Sequence, residues 1–130
     1  MNESIATLLL VEDDESLRGF VAQHLRRSGY GVAEAPTAEK ATELLAAGLR
    51  PAVVLLDLNL PGDTGWTFLR GSALTDAGSP PVVITTATTV SPRRLAEFDV
   101  AGYLPKPFSL ETLVATVERL VQPEGSAPLP

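Results

Sequence analysis

An α/β fold, in which a parallel sheet carries helices on both faces, is what this 130-residue sequence predicts. Three observations predict it. Short apolar runs at residues 8–11, 53–56 and 82–84 are nearly continuous, as strands buried on both faces are. Between and after them, apolar residues recur at helical spacing. The strand-like runs end abruptly in polar residues, which places chemistry at one end of the sheet.

The elements follow in order. Residues 5–11 (IATLLLV) form the first strand, stopped by four consecutive acids, Glu12, Asp13, Asp14 and Glu15. Leu17, Phe20, Val21 and Leu25 mark a helix that Gly29 ends. Residues 31–35 (GVAEA) are weakly apolar and suit an edge strand. A second helix begins after Thr37 as N-cap, turns Ala38, Ala41, Leu44 and Leu45 inward, and stops at Gly48. Residues 52–56 (AVVLL) are the next buried strand, followed at once by Asp57. Pro61 and Gly62 break the chain before a third helix with Trp66, Phe68 and Leu69. Pro80 and Pro81 precede the strand at residues 82–85, and Ser91 with Pro92 caps a short helix through Leu95 and Phe98. Residues 102–104 are the last strand. Behind Ser109, an apolar stripe of Leu110, Leu113, Val114, Val117, Leu120 and Val121 is the clearest helix of all.

Five strands alternating with five helices, with the three most apolar strands central, match a flavodoxin-like doubly wound (βα)5 sheet in the order 2-1-3-4-5. One such domain accounts for residues 1–121, with its core from about residue 5. Residues 122–130 (QPEGSAPLP) have the composition of a tail or a truncated linker.

Composition excludes several function classes. No apolar run approaches the roughly 20 residues of a membrane span, and the N-terminus lacks the basic start and long apolar stretch of a signal peptide. Cysteine is absent, which excludes disulfides, thiolate metal sites and cysteine nucleophiles and suits a cytoplasmic setting. A net charge of −6 argues against this chain alone gripping nucleic acid. The single His24 excludes any site built on two histidines and reads as an ordinary helix residue.

In sheets of this kind ligands sit beyond the carboxyl ends of the strands. Glu12, Asp13 and Asp14 follow the first strand, Asp57 the third, Thr86 the fourth and Lys106 the fifth, and these four strands are neighbours in the expected order. Packed carboxylates repel and raise one another's pKa unless a cation sits between them. Oxygen donors alone favour Mg²⁺ over zinc or copper. A hydroxyl and an ammonium beside them can neutralise phosphoryl oxygens.

At this point the motifs LLLVEDDESLR, VVLLDLNLPGDTGW, PVVITTA and GYLPKPF resemble, in order and spacing, the receiver domain of two-component response regulators. The resemblance implies that Asp57 accepts a phosphoryl group from a sensor histidine kinase or a phosphotransfer protein, forming an acyl phosphate. It implies Mg²⁺, with Mn²⁺ as a substitute, bound directly by Asp13, by Asp57 and by the backbone carbonyl of Asn59, with Glu12 nearby through water. It further implies that Thr86 donates to the phosphoryl oxygens, that Lys106 pairs with them, and that Tyr103 is the switch aromatic that moves inward as Thr86 shifts. The Lys106–Pro107 bond is expected to be cis. The implied activity is a switch that controls an output domain or protein partner, with homodimerisation on phosphorylation as a further expectation. Self-phosphorylation and self-dephosphorylation replace turnover of a metabolite.

Each residue also has a plainer reading. Glu15 reads as solvated surface and Asp14 as a helix cap. The run TTATT offers four threonines, from which strand alternation and the following Ala87 select Thr86; Thr88 reads as a rim residue that influences acyl-phosphate hydrolysis. Lys106 stands between two prolines in a chain that otherwise prefers arginine, which suits a compact ammonium better than a solvated one. Trp66 reads as packing at a helix start. Arg93 and Arg94 oppose the helix dipole, which hints at a partner contact. The stretch from Thr86 to Lys106 is short for the family, and AGYL replaces its usual acidic residues, so no partner geometry carries over to the face of the fourth helix, last strand and last helix.

Two rivals remain. A small aspartyl-phosphate phosphatase would place an acid two residues after the nucleophile, where this chain has Asn59, and metal acids after the nucleophile rather than before it. The other is a binding module that never carries phosphate.

Overall fold

The computed structural model describes residues 6–60, 65–71, 74, 80–98 and 100–121. Five parallel strands, β1 (Thr7–Val11), β2 (Gly31–Ala35), β3 (Val53–Asp57), β4 (Val82–Thr86) and β5 (Gly102–Pro105), form one sheet in the order β2-β1-β3-β4-β5. Among the described residues, helices with described bounds are α1 (Glu15–Arg27), α2 (Ala38–Ala46), α3 (Gly65–Arg70), α4 (Pro92–Glu97) and α5 (Leu110–Leu120). The expected doubly wound order is therefore the observed one. Ile5, Pro61, Gly62 and the tail at residues 122–130 lie outside the described residues.

Period-two alternation splits each central strand between two cores. Leu8, Leu10, Val53, Leu55 and Val83 face α1 and α5, where they meet Val21, Leu25, Leu113 and Val117. Leu9, Val11, Val54, Leu56 and Ile84 face the other way, onto Ala41 and Leu45 of α2 and Phe68 of α3. Every residue of β3 and β4 is buried, whereas the edge strand β2 is buried only at Ala35.

Local chemistry sets the helix ends. The side chains of Asp14, Thr37, Ser91 and Ser109 accept hydrogen bonds from the main-chain N–H groups three residues on, at Leu17, Lys40, Arg94 and Thr112. Gly29 and Gly48 follow α1 and α2 with φ of 103° and 111°, a region where a side chain would be strained. One helix departs from the sequence pattern. Phe20 sits at an apolar-periodic position of α1 but is 59% exposed, because Val21, Ala22 and Leu25 already fill the face turned to the sheet.

Gly65 positions the site from below. A β-carbon there would lie 2.7 Å from Leu58 Cα and 2.9 Å from the carbonyl oxygen of Asp57, both main-chain atoms directly at the end of β3. Gly65→Ala is expected to destabilise the fold by about 1–3 kcal/mol through this overpacking, read as a lower urea midpoint with an unchanged slope. An unchanged midpoint would show that the β3–α3 connection yields without cost.

Candidate functional site

Parallel register aligns the ends of four strands. Val11 pairs with Leu56, Asp57 with Thr85, and Thr86 with Pro105, so Asp57 and Thr86 at the last positions of β3 and β4 and the residues just past β1 and β5 gather on one rim. Glu12 and Asp57 are 3% and 4% exposed and Thr86 is fully buried, while Asp13 is open to solvent. One carboxylate oxygen from each of Glu12, Asp13 and Asp57 lies within 4.8 Å of the other two. These are the acids that the sequence nominates, together at one point.

Lys106 reaches into the same place. Its main-chain N–H donates to the Thr86 carbonyl at 2.8 Å, one step beyond the β4–β5 ladder, and the Lys106–Pro107 peptide is cis. Its ammonium donates to Glu12 Oε1 at 2.6 Å and to Asp57 Oδ2 at 3.0 Å. Lysine thus acts here as the cation between two buried carboxylates. Burial opposes the charged ammonium, but hydrogen bonds and charge from Glu12 and Asp57 outweigh it and raise the Lys106 pKa above the ordinary lysine value.

Glu12 titrates high as well. Burial is the largest cause, opposed by hydrogen bonds from Lys106 and from the Asp14 N–H; the negative charge of Asp57 adds a smaller upward push. Desolvation therefore outranks the carboxylate repulsion that the sequence suggests. Above its folded pKa the ionised Glu12 costs stability, and that cost is relieved as pH falls toward the ordinary value of 4.5. A cation bound at these acids needs them ionised, so divalent-ion affinity should begin to fall at a pH above 4.5, and Glu12→Gln should flatten this dependence. Mg²⁺ titrations across a pH series check it, and a decline confined below 4.5 would contradict it.

Asn59 links the acid side to the threonine side. Its N–H donates to Asp57 Oδ1 at 3.0 Å, and its side-chain amide donates to Thr86 Oγ1 at 3.0 Å and Thr88 Oγ1 at 2.8 Å. The Thr88 N–H also donates to Thr86 Oγ1, at 3.1 Å. With both acceptor positions of Thr86 filled, what its hydroxyl still offers is a proton. The Tyr103 hydroxyl donates to the Thr88 carbonyl at 3.3 Å, tying β5 to the loop after β4.

Arg94 makes contacts inside the fold as well: its guanidinium lies 4.7 Å from the Trp66 ring centroid and 5.2 Å from that of Phe98, and pairs with Glu97 at 3.6 Å, while its side chain stays 41% exposed. Arg93 is exposed. Trp66 packs against Phe98 with centroids 4.6 Å apart and helps line a cleft with Asn59, Thr88 and Arg94. Sequence reasoning missed the two hydrogen bonds that the Asn59 amide donates to the threonines and the one that Arg18 Nη1 donates to the Glu12 carbonyl at 2.9 Å. No local spacing signals either one.

A family model for the response regulator receiver domain matches residues 8–118. The chain belongs to that family. Among relatives, this receiver domain is 35% identical over 117 residues to response regulator MprA of Mycolicibacterium vanbaalenii, covering 88% of the present chain and 50% of that protein. It is 31% identical over 124 residues to protein PetR of Rhodobacter capsulatus, covering 94% of the present chain and 51% of the other. The receiver domain therefore spans about half the length of the curated relatives it matches. Its fold superposes on the chemotaxis protein CheY4 of Vibrio cholerae with a TM-score of 0.79 and 31% identity, over 88% of this chain and 98% of that one.

Proposed function

We propose that this receiver domain is a phosphoaccepting switch, with Asp57 as the acceptor. The observation that carries this reading is the placement of Asp57, buried, hydrogen-bonded to Lys106, and joined to Thr86 through Asn59. The donor is a phosphohistidine on a sensor kinase or phosphotransfer protein. A carboxylate oxygen of Asp57 attacks phosphorus, the P–N bond breaks, and its electron pair returns to the imidazole, which takes up a proton.

The donor set fits a hard dication: three carboxylates within mutual reach and oxygen ligands only. Glu12, Asp13 and Asp57, with the carbonyl of Asn59, would hold Mg²⁺ or Mn²⁺, which supplies the positive charge that lets a dianionic phosphoryl group approach a carboxylate. Lys106, released from Asp57, pairs with a phosphoryl oxygen, and Thr86 donates its free proton to another. Movement of Thr86 disturbs the bonds that Asn59 and Tyr103 make to the neighbouring loop, so charge added at Asp57 shifts an existing equilibrium between two surface arrangements. Thr88, bound to Asn59 at the rim, influences how fast water removes the phosphate. The switch controls an output domain or protein partner, homodimerises when phosphorylated, and works in the cytoplasm.

Incubation with Mg²⁺ and a small phosphodonor tests this reading. A switch takes up about one phosphate per chain, and a chelator prevents it. Continuous release of phosphate from many esters would favour a phosphatase instead, and no uptake would favour a silent binding module. Against the phosphatase, the amide of Asn59 is engaged with two threonines and has no acidic proton to give a leaving group.

The exposed face beside the site suits a protein donor. Phe20 stands one turn along α1 from Leu17, which lines an apolar pocket with Ala87, Pro107 and Phe108 next to Lys106. Phe20→Asp is expected to slow transfer from a cognate kinase about tenfold or more, in line with loss of a buried aromatic contact. Uptake from a small donor should be unaffected. Equal rates of kinase transfer in variant and wild type would place the kinase elsewhere.

A further inference from the structure

Arg18, in the first turns of α1, has no part in the steps above, yet it grips the loop that carries the acids. Its Nη1 donates to the Glu12 carbonyl at 2.9 Å, and its side chain is 15% exposed. Its Nε lies 3.3 Å from Glu34 Oε1 but off the line of a hydrogen bond, so this second contact is electrostatic. Glu34, on the edge strand β2, is held from its other side by Arg26 at 3.0 Å, and the same Arg26 nitrogen donates to the Val32 carbonyl at 2.9 Å. A planar guanidinium fastened in two directions cannot rotate freely.

The Glu12 main chain is consequently held on both sides. Its N–H donates to the Ala35 carbonyl at 3.0 Å and its carbonyl accepts from Arg18. That carbonyl belongs to the peptide leading into Asp13. Its plane fixes where the Asp13 N–Cα bond begins and so constrains the directions open to the exposed Asp13 side chain, one carboxylate oxygen of which lies within 4.8 Å of oxygens of Glu12 and Asp57.

We propose that Arg18, locked by Glu34, is the positioning residue of the divalent-cation loop. This rests on the Mg²⁺ reading given above. Charge and positioning make opposite predictions. A guanidinium near a dication repels it, so charge alone says that removing Arg18 tightens Mg²⁺ binding. Positioning says that removal weakens it.

Calorimetric Mg²⁺ titration of the full chain, with free Mn²⁺ counted by electron paramagnetic resonance, decides between them. Arg18→Met should bind either ion about tenfold more weakly, the lower end of what residues that orient metal ligands contribute. Arg18→Lys keeps the charge but cannot reach Glu12 and Glu34 in one plane, and should also weaken binding. The urea midpoint of Arg18→Lys should stay near that of wild type, separating site geometry from folding. Unchanged or tighter binding in Arg18→Met overturns the proposal; if that variant does not fold, wild-type affinity in Arg18→Lys does so. Asp13→Asn separates the two readings. Wild-type binding that survives Asp13→Asn overturns the metal site itself, whereas binding lost there but kept in both Arg18 variants overturns only the role of Arg18.

Discussion

Asp57→Asn should take up no phosphate from any donor, while the chain stays folded. The amide is nearly isosteric with the carboxylate and can keep its oxygen toward the Asn59 N–H, now 3.0 Å from Asp57 Oδ1. It is no nucleophile toward phosphorus. Lys106 loses one carboxylate but retains Glu12 at 2.6 Å, so no buried charge is left unpaired. The stability change should therefore stay within about 1–2 kcal/mol, well below the cost of orphaning a buried ion. Intact-mass measurement after incubation with Mg²⁺ and a small phosphodonor gives the answer, with urea unfolding as the control. Phosphate retained in the variant would move the acceptor to another residue.

Lys106→Met should separate cation binding from switching. Wild-type Lys106 competes with any dication for Glu12 and Asp57, so its removal should tighten Mg²⁺ binding about tenfold or more, where each tenfold step corresponds to ~1.4 kcal/mol. Without metal the variant should be less stable, since two buried acids lose their counter-charge, and added Mg²⁺ should restore it. Phosphorylation-dependent output should nonetheless fail, because methionine cannot pair with a phosphoryl oxygen. Lys106→Arg should fail similarly at the output with less effect on folding: a planar guanidinium is a poor substitute for a compact ammonium that fits between oxygens 2.6 and 3.0 Å away.

The same lysine has a pH signature. Its folded pKa is raised, so the stability it contributes is present in full below the ordinary value of 10.5 and is lost as pH rises through the folded value. Wild type should show this alkaline decline and Lys106→Met should lack it. Weaker Mg²⁺ binding in Lys106→Met, or an identical alkaline decline, would remove lysine from the centre of the site.

Much of the fold was legible because its signals are local. Asp14, Thr37, Ser91 and Ser109 cap helices through bonds only three residues long, and the alternation that divides Leu8 and Leu10 from Leu9 and Val11 is a property of any pleated strand. The meeting of Lys106 with Glu12, 94 residues apart, was legible for another reason: the parallel order puts all strand ends on one rim, and only the residue after each strand need be read. Phe20 was not legible. Its spacing is that of a buried residue, and its exposure depends on how α1 is rolled against the sheet.

Side-chain partners across the sheet are where local pattern loses its hold. That Arg94 stacks on Trp66, which hydroxyls the Asn59 amide reaches, and that Glu34 of an edge strand lies 3.3 Å from Arg18 all depend on lateral distances that no spacing along the chain encodes. By itself, the amino-acid order determined the strands, the helix caps, the sheet order and the set of polar residues at the rim, since periodicity and capping act within a few positions. Tertiary packing alone decided which oxygen meets which nitrogen there and that burial leads in raising Glu12, since desolvation and hydrogen bonds of about 3 Å exist only once distant segments are pressed together.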